Sequence, residues 1–235
     1  MKAMMVSDFC VMKNALLQMV GILAVVGVVM AWAMDTVVGA AAAVGAMVPF
    51  MYLFSVGSLD EQNGWERFRL TLPLTRRQVV FGRYGSTAVV AVAAAVGGLI
   101  MGALVMLAVG VMGDGAAWAS GLSAAQNPPE ALLASTALTL TVFLLGAAVA
   151  LPLMARFGMT KATRFVPLVV VVAMAFGVAA LDTPLSSGVL AEWSAWVTGD
   201  ALHGTIVVGG ALLAAAVLYV VSAFVAAKLY EKREF

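Results

Sequence analysis

Long apolar runs, broken by short polar stretches, set the pattern of this chain. Runs at about 15–34, 36–57, 85–112, 131–155 and 205–227 each supply the roughly twenty residues a helix needs to cross hydrocarbon, and a shorter run covers about 165–181. The pattern predicts an all-α integral membrane protein with six transmembrane helices in a single domain, 1–235. Asp35 separates the first two runs with almost no spacer, so these helices form an antiparallel pair. Gly39, Gly45 and the alanines of the second run offer a smooth face for close packing, and Pro49 is expected to kink it near Tyr52 and Ser55. Gly98-x-x-x-Gly102 in the third run has the spacing of a small-residue helix contact, a motif that more often marks generic packing than a dimer seam. Residues 1–14 carry Lys2, Asp8 and Lys13 among apolar side chains and read as an amphipathic helix at the membrane interface. Residues 182–204 place Trp193 and Trp196 on one helical face and read as short helices in the outer headgroup layer.

The densest polar stretch is 58–84, SLDEQNGWERFRLTLPLTRRQVVFGRY, which cannot sit in hydrocarbon. Ser58-x-x-Glu61 has the spacing of a capping box, placing a short helix over about 59–70 with Asp60 and Glu61 at its positive end. Gly64 weakens that helix, and Pro73 ends it because proline lacks an amide proton and restricts Leu72. Thr75-x-x-Gln78 repeats the box and starts a helix that runs into the third span. Trp65 and Phe68 suit an anchor at headgroup level, while Glu66, Arg67 and Arg69 face water. Two caps and an aromatic anchor suggest a preformed cytoplasmic docking element over 59–83 rather than a plain loop.

The composition agrees with membrane insertion: 63% of residues are hydrophobic and 11% charged, with a mean hydropathy of +1.05. The net charge of +1 conceals a segregation. All thirteen basic residues fall in the N-terminal segment, the 58–84 island, the 156–164 loop and the 228–235 tail, which six spans place on one side. Asp35, Asp114, Glu130, Asp182, Glu192 and Asp200 fall on the other. An excess of Lys and Arg marks the cytoplasmic face, so both termini are expected there. Cys10 is the single cysteine, which excludes an intrachain disulfide, and no signal-peptide cleavage pattern is present.

Catalytic and energy-coupling motifs are missing. The chain has no G-x-x-x-x-G-K-[ST] and no G-x-S-x-G. His203 is the single histidine, at a span boundary, and no cluster has metal-ligand spacing, so no cofactor is expected in this chain. No charged side chain falls in the middle of an expected span, which argues against a proton- or sodium-driven carrier and an intramembrane hydrolase. A secondary carrier or channel, a membrane enzyme and a non-transporting anchor or sensor are the alternatives to a subunit that takes its energy from a partner.

Asp8 in a short amphipathic start, the six spans, D-E-x-x-x-W-E-x-F (Asp60 to Phe68), T-L-P-L-T-R-R-Q-V-V (Thr71 to Val80) and Arg83-Tyr84 together resemble the small six-span branch of the ABC-2 type transporter permeases. The resemblance implies the membrane-spanning subunit of an ATP-binding-cassette exporter, without an ATPase site of its own. Two permease subunits, identical or sister chains, would pair in the cell membrane with two cytoplasmic ATPase subunits that bind ATP. Residues 1–14 would match the interfacial connecting helix, and 182–204 the short outer helices. Asp60, Glu61, Trp65, Glu66, Arg67, Phe68, Arg69, Pro73, Arg76 and Arg77 would form the coupling helix and its exit, docked in a cleft of the ATPase. A peptide, drug or other amphipathic substrate would be exported.

Overall fold

The computed structural model describes residues 2–65, 75–112, 121–162 and 201–232. Five long helices account for most of them: α1 (Lys2–Met34), α2 (Val37–Gln62), α3 (Arg76–Met112), α4 (Pro129–Phe157) and α5 (Ala201–Glu231). Among the described residues, all five are long and apolar enough to cross a membrane. The expected fifth span, 165–181, and the outer segment up to residue 200 lie outside the described residues.

Two boundaries differ from the sequence reading. Residues 2–14 are not a separate helix but continue without a break into the first span. At 33 residues, α1 is about 50 Å long, against a hydrocarbon core of about 30 Å, which leaves several polar turns room beyond the core. At its other border, α2 passes through Ser58 and ends only at Gln62. Extending an existing helix adds a hydrogen bond per residue, whereas starting a new one carries a nucleation cost, so the α2 helix overrides the capping pattern at Ser58. Ser58 Oγ instead accepts a bond from Gln62 Nε2 at 3.0 Å. Asn63 caps the end, and Gly64, at φ +64°, supplies the left-handed residue that stops it.

The α1–α2 turn is as short as expected. Asp35 takes φ 49° and Thr36 is extended, which the short Asp side chain tolerates better than most. Thr36 makes no side-chain cap of its own. The carboxamide of Asn127 does so from across the chain, its Oδ1 accepting from Thr36 Oγ1 at 3.1 Å and the Val37 N–H at 3.0 Å. Asn127 Nδ2 donates to the Gly121 and Ser123 carbonyls, at 2.7 and 3.0 Å.

Small residues seat α3 on α2. A Cβ on Gly98 would come 2.7 Å from the Ala41 carbonyl oxygen, and one on Gly102 would crowd Val37 at 3.2 Å. The Gly98-x-x-x-Gly102 motif therefore serves packing within the chain. Phe143, Leu53, Tyr84 and Tyr219 centre the largest core, where α2, α3, α4 and α5 meet. Large apolar side chains such as Leu17, Val25, Leu107, Leu213 and Phe224 point outward, as lipid-facing positions do.

α4 and α5 pack parallel. Ser222 Oγ donates to the Ala148 carbonyl at 2.6 Å, and one turn or two further along, Tyr230 lines a cavity with Met154 and Ala155. α3 runs antiparallel to α5, with Tyr84 beside Ser222 and Arg77 beside Glu231.

Candidate functional site

The polar groups of the described residues concentrate at the end of the bundle where the 58–84 island leaves α2 and enters α3. The entry to α3 is built as its sequence predicts. The Thr75 N–H donates to Gln78 Oε1 at 3.2 Å and the Gln78 N–H to Thr75 Oγ1 at 3.3 Å, a reciprocal capping box that satisfies amides of the first turn. Two turns later, Arg83 points into the junction of α1, α2 and α3. Its Nε lies 3.3 Å from Asp8 Oδ2, and its Nη2 pairs with Asp60 Oδ2. Ser86 Oγ donates to the same Asp8 oxygen at 2.9 Å. Asp8 is only 2% exposed, so its charge depends on these partners.

The position of Asp60 explains its pairing. The expected helix over 59–70 would have put it at a positive helix start. It lies instead in the last turn of α2, whose negative end disfavours a carboxylate. The Arg83 guanidinium supplies the compensating charge. Glu61, one residue on, faces the other way. Its carboxylate accepts from the Thr160 N–H at 2.7 Å and from Thr160 Oγ1 at 2.8 Å. It thereby caps the start of the helical segment that begins at Met159, after Gly158 at φ +80°.

The end of α5 joins the same assembly. Arg76 Nη1 donates to the Glu231 carbonyl at 2.7 Å, satisfying an acceptor left open by the helix end. Arg77 Nε donates to Glu231 Oε1 at 2.6 Å. Deeper in, Tyr84 Oη and Ser222 Oγ share a hydrogen bond of 2.8 Å, and Tyr219 Oη donates to the Tyr84 carbonyl at 2.8 Å. Tyr84 and Ser222 are both buried. A cavity of about 80 Å³, lined by Asp60, Arg83, Tyr84, Met154, Met159 and Tyr230 among others, lies beneath these contacts.

Of the ten expected docking residues, the structure places five. Asp60 is buried, Trp65 and Arg76 are half-buried, and Glu61 and Arg77 are exposed. Glu66, Arg67, Phe68, Arg69 and Pro73 lie outside the described residues. Arg83 and Asp8 were prominent in sequence only as parts of a motif, and their pairing was not foreseen. One signal was available: an isolated carboxylate in an otherwise apolar helix needs a cation, and Arg83 is the last charge of the island, next to the apolar third run. Part of the expected charge segregation falls on described residues. Asp8, Asp60, Arg83, Arg76, Arg77, Thr160 and Glu231 gather at one end, while Asp35 lies against Gly121 at the other.

Chemically, this end is a fastening. Its charges are engaged with one another across helices, and among the described residues no group of His, Cys, Asp and Glu could hold a metal ion. A family model described as an ABC-2 family transporter protein matches residues 3–231. Neither a curated protein nor a solved structure matches the chain.

Proposed function

The chain belongs to the ABC-2 transporter family, and on that premise we propose that it is the permease subunit of an ATP-binding-cassette exporter, driven by a separate cytoplasmic ATPase. The observation that carries the reading is the construction of the island's two roots. α2 ends on a glycine stop, α3 begins on a reciprocal capping box, and Asp60 and Arg83 join the two helices across the base. A segment held this firmly at both roots can pass a push on its tip into two membrane helices. ATP binding would close the ATPase dimer, move the docked island, and drive α2 and α3 with it.

Six spans, with both termini in the cytoplasm of a cell-membrane protein, complete the proposal. The parallel packing of α4 and α5 supports the sixth. Two parallel neighbours need a return crossing between them, and 165–181 is the apolar run available for it. The permease would work as a pair, with itself or a sister chain, and export a peptide, drug or other amphipathic substrate.

The test is a mild-detergent pull-down of the tagged chain from its native membrane. A stoichiometric soluble ATPase with a phosphate-binding loop is expected, and Trp65→Ala with Glu66→Ala should strip it off while leaving membrane insertion unchanged. A preparation free of any ATPase, in a detergent that keeps known complexes whole, would overturn the reading.

A further inference from the structure

We propose that Arg83 is a positioning residue that ties α1 to the roots of the charged island, so that α1 follows the island as a lever. The proposal rests on the permease reading for the source of the movement, and on geometry for the tie itself.

α1 is held unevenly. Only 17% of its most apolar 18-residue stretch is buried inside the bundle, against 44% for α2. An apolar cleft of about 310 Å³ separates its Phe9, Leu16, Val20 and Ala24 from Val89, Ala93 and Gly97 of α3. Gly97 has open space where a side chain would be, while beside the cleft Met12 and Leu23 of α1 share one buried cluster with Val48 and Tyr52 of α2 and Val90 and Ala94 of α3. Directional contacts sit near the two ends of α1. At one, the chain turns through Asp35 and Thr36 into the start of α2, which Asn127 holds. Near the other, Asp8 meets Arg83 and Ser86.

Arg83 is placed to do more than neutralise Asp8. The same guanidinium reaches Asp60 at the end of α2 through another nitrogen. A planar fork that serves two carboxylates on two helices fixes their relative position, which a flexible ammonium does not. Ser86 Oγ, which donates to Asp8, also lies 3.0 Å from the Arg83 carbonyl, so the Asp8 side chain is oriented from a second direction. Any displacement of the α2–α3 junction is therefore delivered to α1 at Asp8, about two turns from its start. The cleft gives α1 room to answer by pivoting about Asp35 and Thr36.

The experiment uses the full chain in lipid nanodiscs with two nitroxide labels. One is on Cys10, which is exposed and is the single cysteine, and the other on an Asn63→Cys replacement at the end of α2. The double-labelled parent should show one narrow distance distribution. Arg83→Gln and Asp8→Asn should each widen it about twofold or more, and Arg83→Lys should fall between. Exchanging the charges, Asp8→Arg with Arg83→Asp, keeps one guanidinium among two carboxylates and should restore the narrow distribution, which a merely structural role for Arg83 would not predict. A distribution in Arg83→Gln as narrow as the parent overturns the proposal. So does a monodisperse exchange variant that stays wide. If Arg83→Gln does not fold, Arg83→Lys decides by the same criterion. In the complex with its ATPase, Arg83→Gln should keep ATP hydrolysis and lose transport by about tenfold. A parent with no ATP-dependent transport would sink the permease reading alone, because the label distances still report on the tie.

Discussion

At the end where the charged island leaves and re-enters the bundle, α1, α2 and α3 meet on the Arg83 guanidinium. At the far end, α2 is held by the uncharged carboxamide of Asn127. Both devices solve the same problem, the polarity that a helix end exposes, and they do so with different consequences. A neutral amide bonded to backbone groups is indifferent to salt and fixes one geometry. A guanidinium shared between carboxylates is strong while buried, but it becomes costly as soon as one partner is lost. Around it lie exposed pairs such as Arg77 with Glu231, which water and ions weaken. On the proposed permease function, the far end would stay and the island end would be moved.

Replacements at the two ends should show that difference. Arg83→Ala leaves two carboxylates without their guanidinium and should cost roughly 3–5 kcal/mol, read as the largest drop in thermal unfolding temperature in mild detergent. Asn127→Ala should come next at about 1–3 kcal/mol, because it strands the amide of Val37, and its effect should be the same at low and high salt. If added salt changed the Asn127→Ala loss as much as the Arg77→Ala loss, the contrast between the ends would collapse. Thr75→Ala or Gln78→Ala removes one half of the capping box and should cost about 1 kcal/mol, the two together little more than one alone. Arg77→Ala should have the smallest effect, measurable at low ionic strength and gone at about 1 M salt.

What could be read from sequence follows the same division. The box at Thr75 and Gln78 was legible because Pro73, two residues upstream, disfavours a helix running into it, and local hydrogen bonds then decide where α3 begins. The identical spacing at Ser58 and Glu61 misled, because an established helix upstream wins over a local signal. That one error moved Asp60 from a supposed helix start to a real helix end, and hid its need for Arg83. Five of the six expected spans lie within described helices, α1 with a longer start and α2 with a longer end, since hydropathy and length dominate that choice. Asn127 was not singled out at all. Its partners lie some ninety residues away, and nothing in a short polar loop marks one amide as a cap for another helix. The parallel pairing of α4 and α5 was likewise a matter of tertiary register.

The bonds between α3 and α5 set a waiting time. Tyr84 and Ser222 are separated by 138 residues, and Arg77 and Glu231 by 154. At roughly 5–20 residues per second of synthesis, α3 exists for about 7–30 s before its partner helix is made. Through that interval the hydroxyl of Tyr84 must find another acceptor, from lipid headgroups, water or an insertion chaperone. The nascent chain is thus most exposed to misassembly and proteolysis after α3 has been made, and it is released from that risk only when α5 arrives.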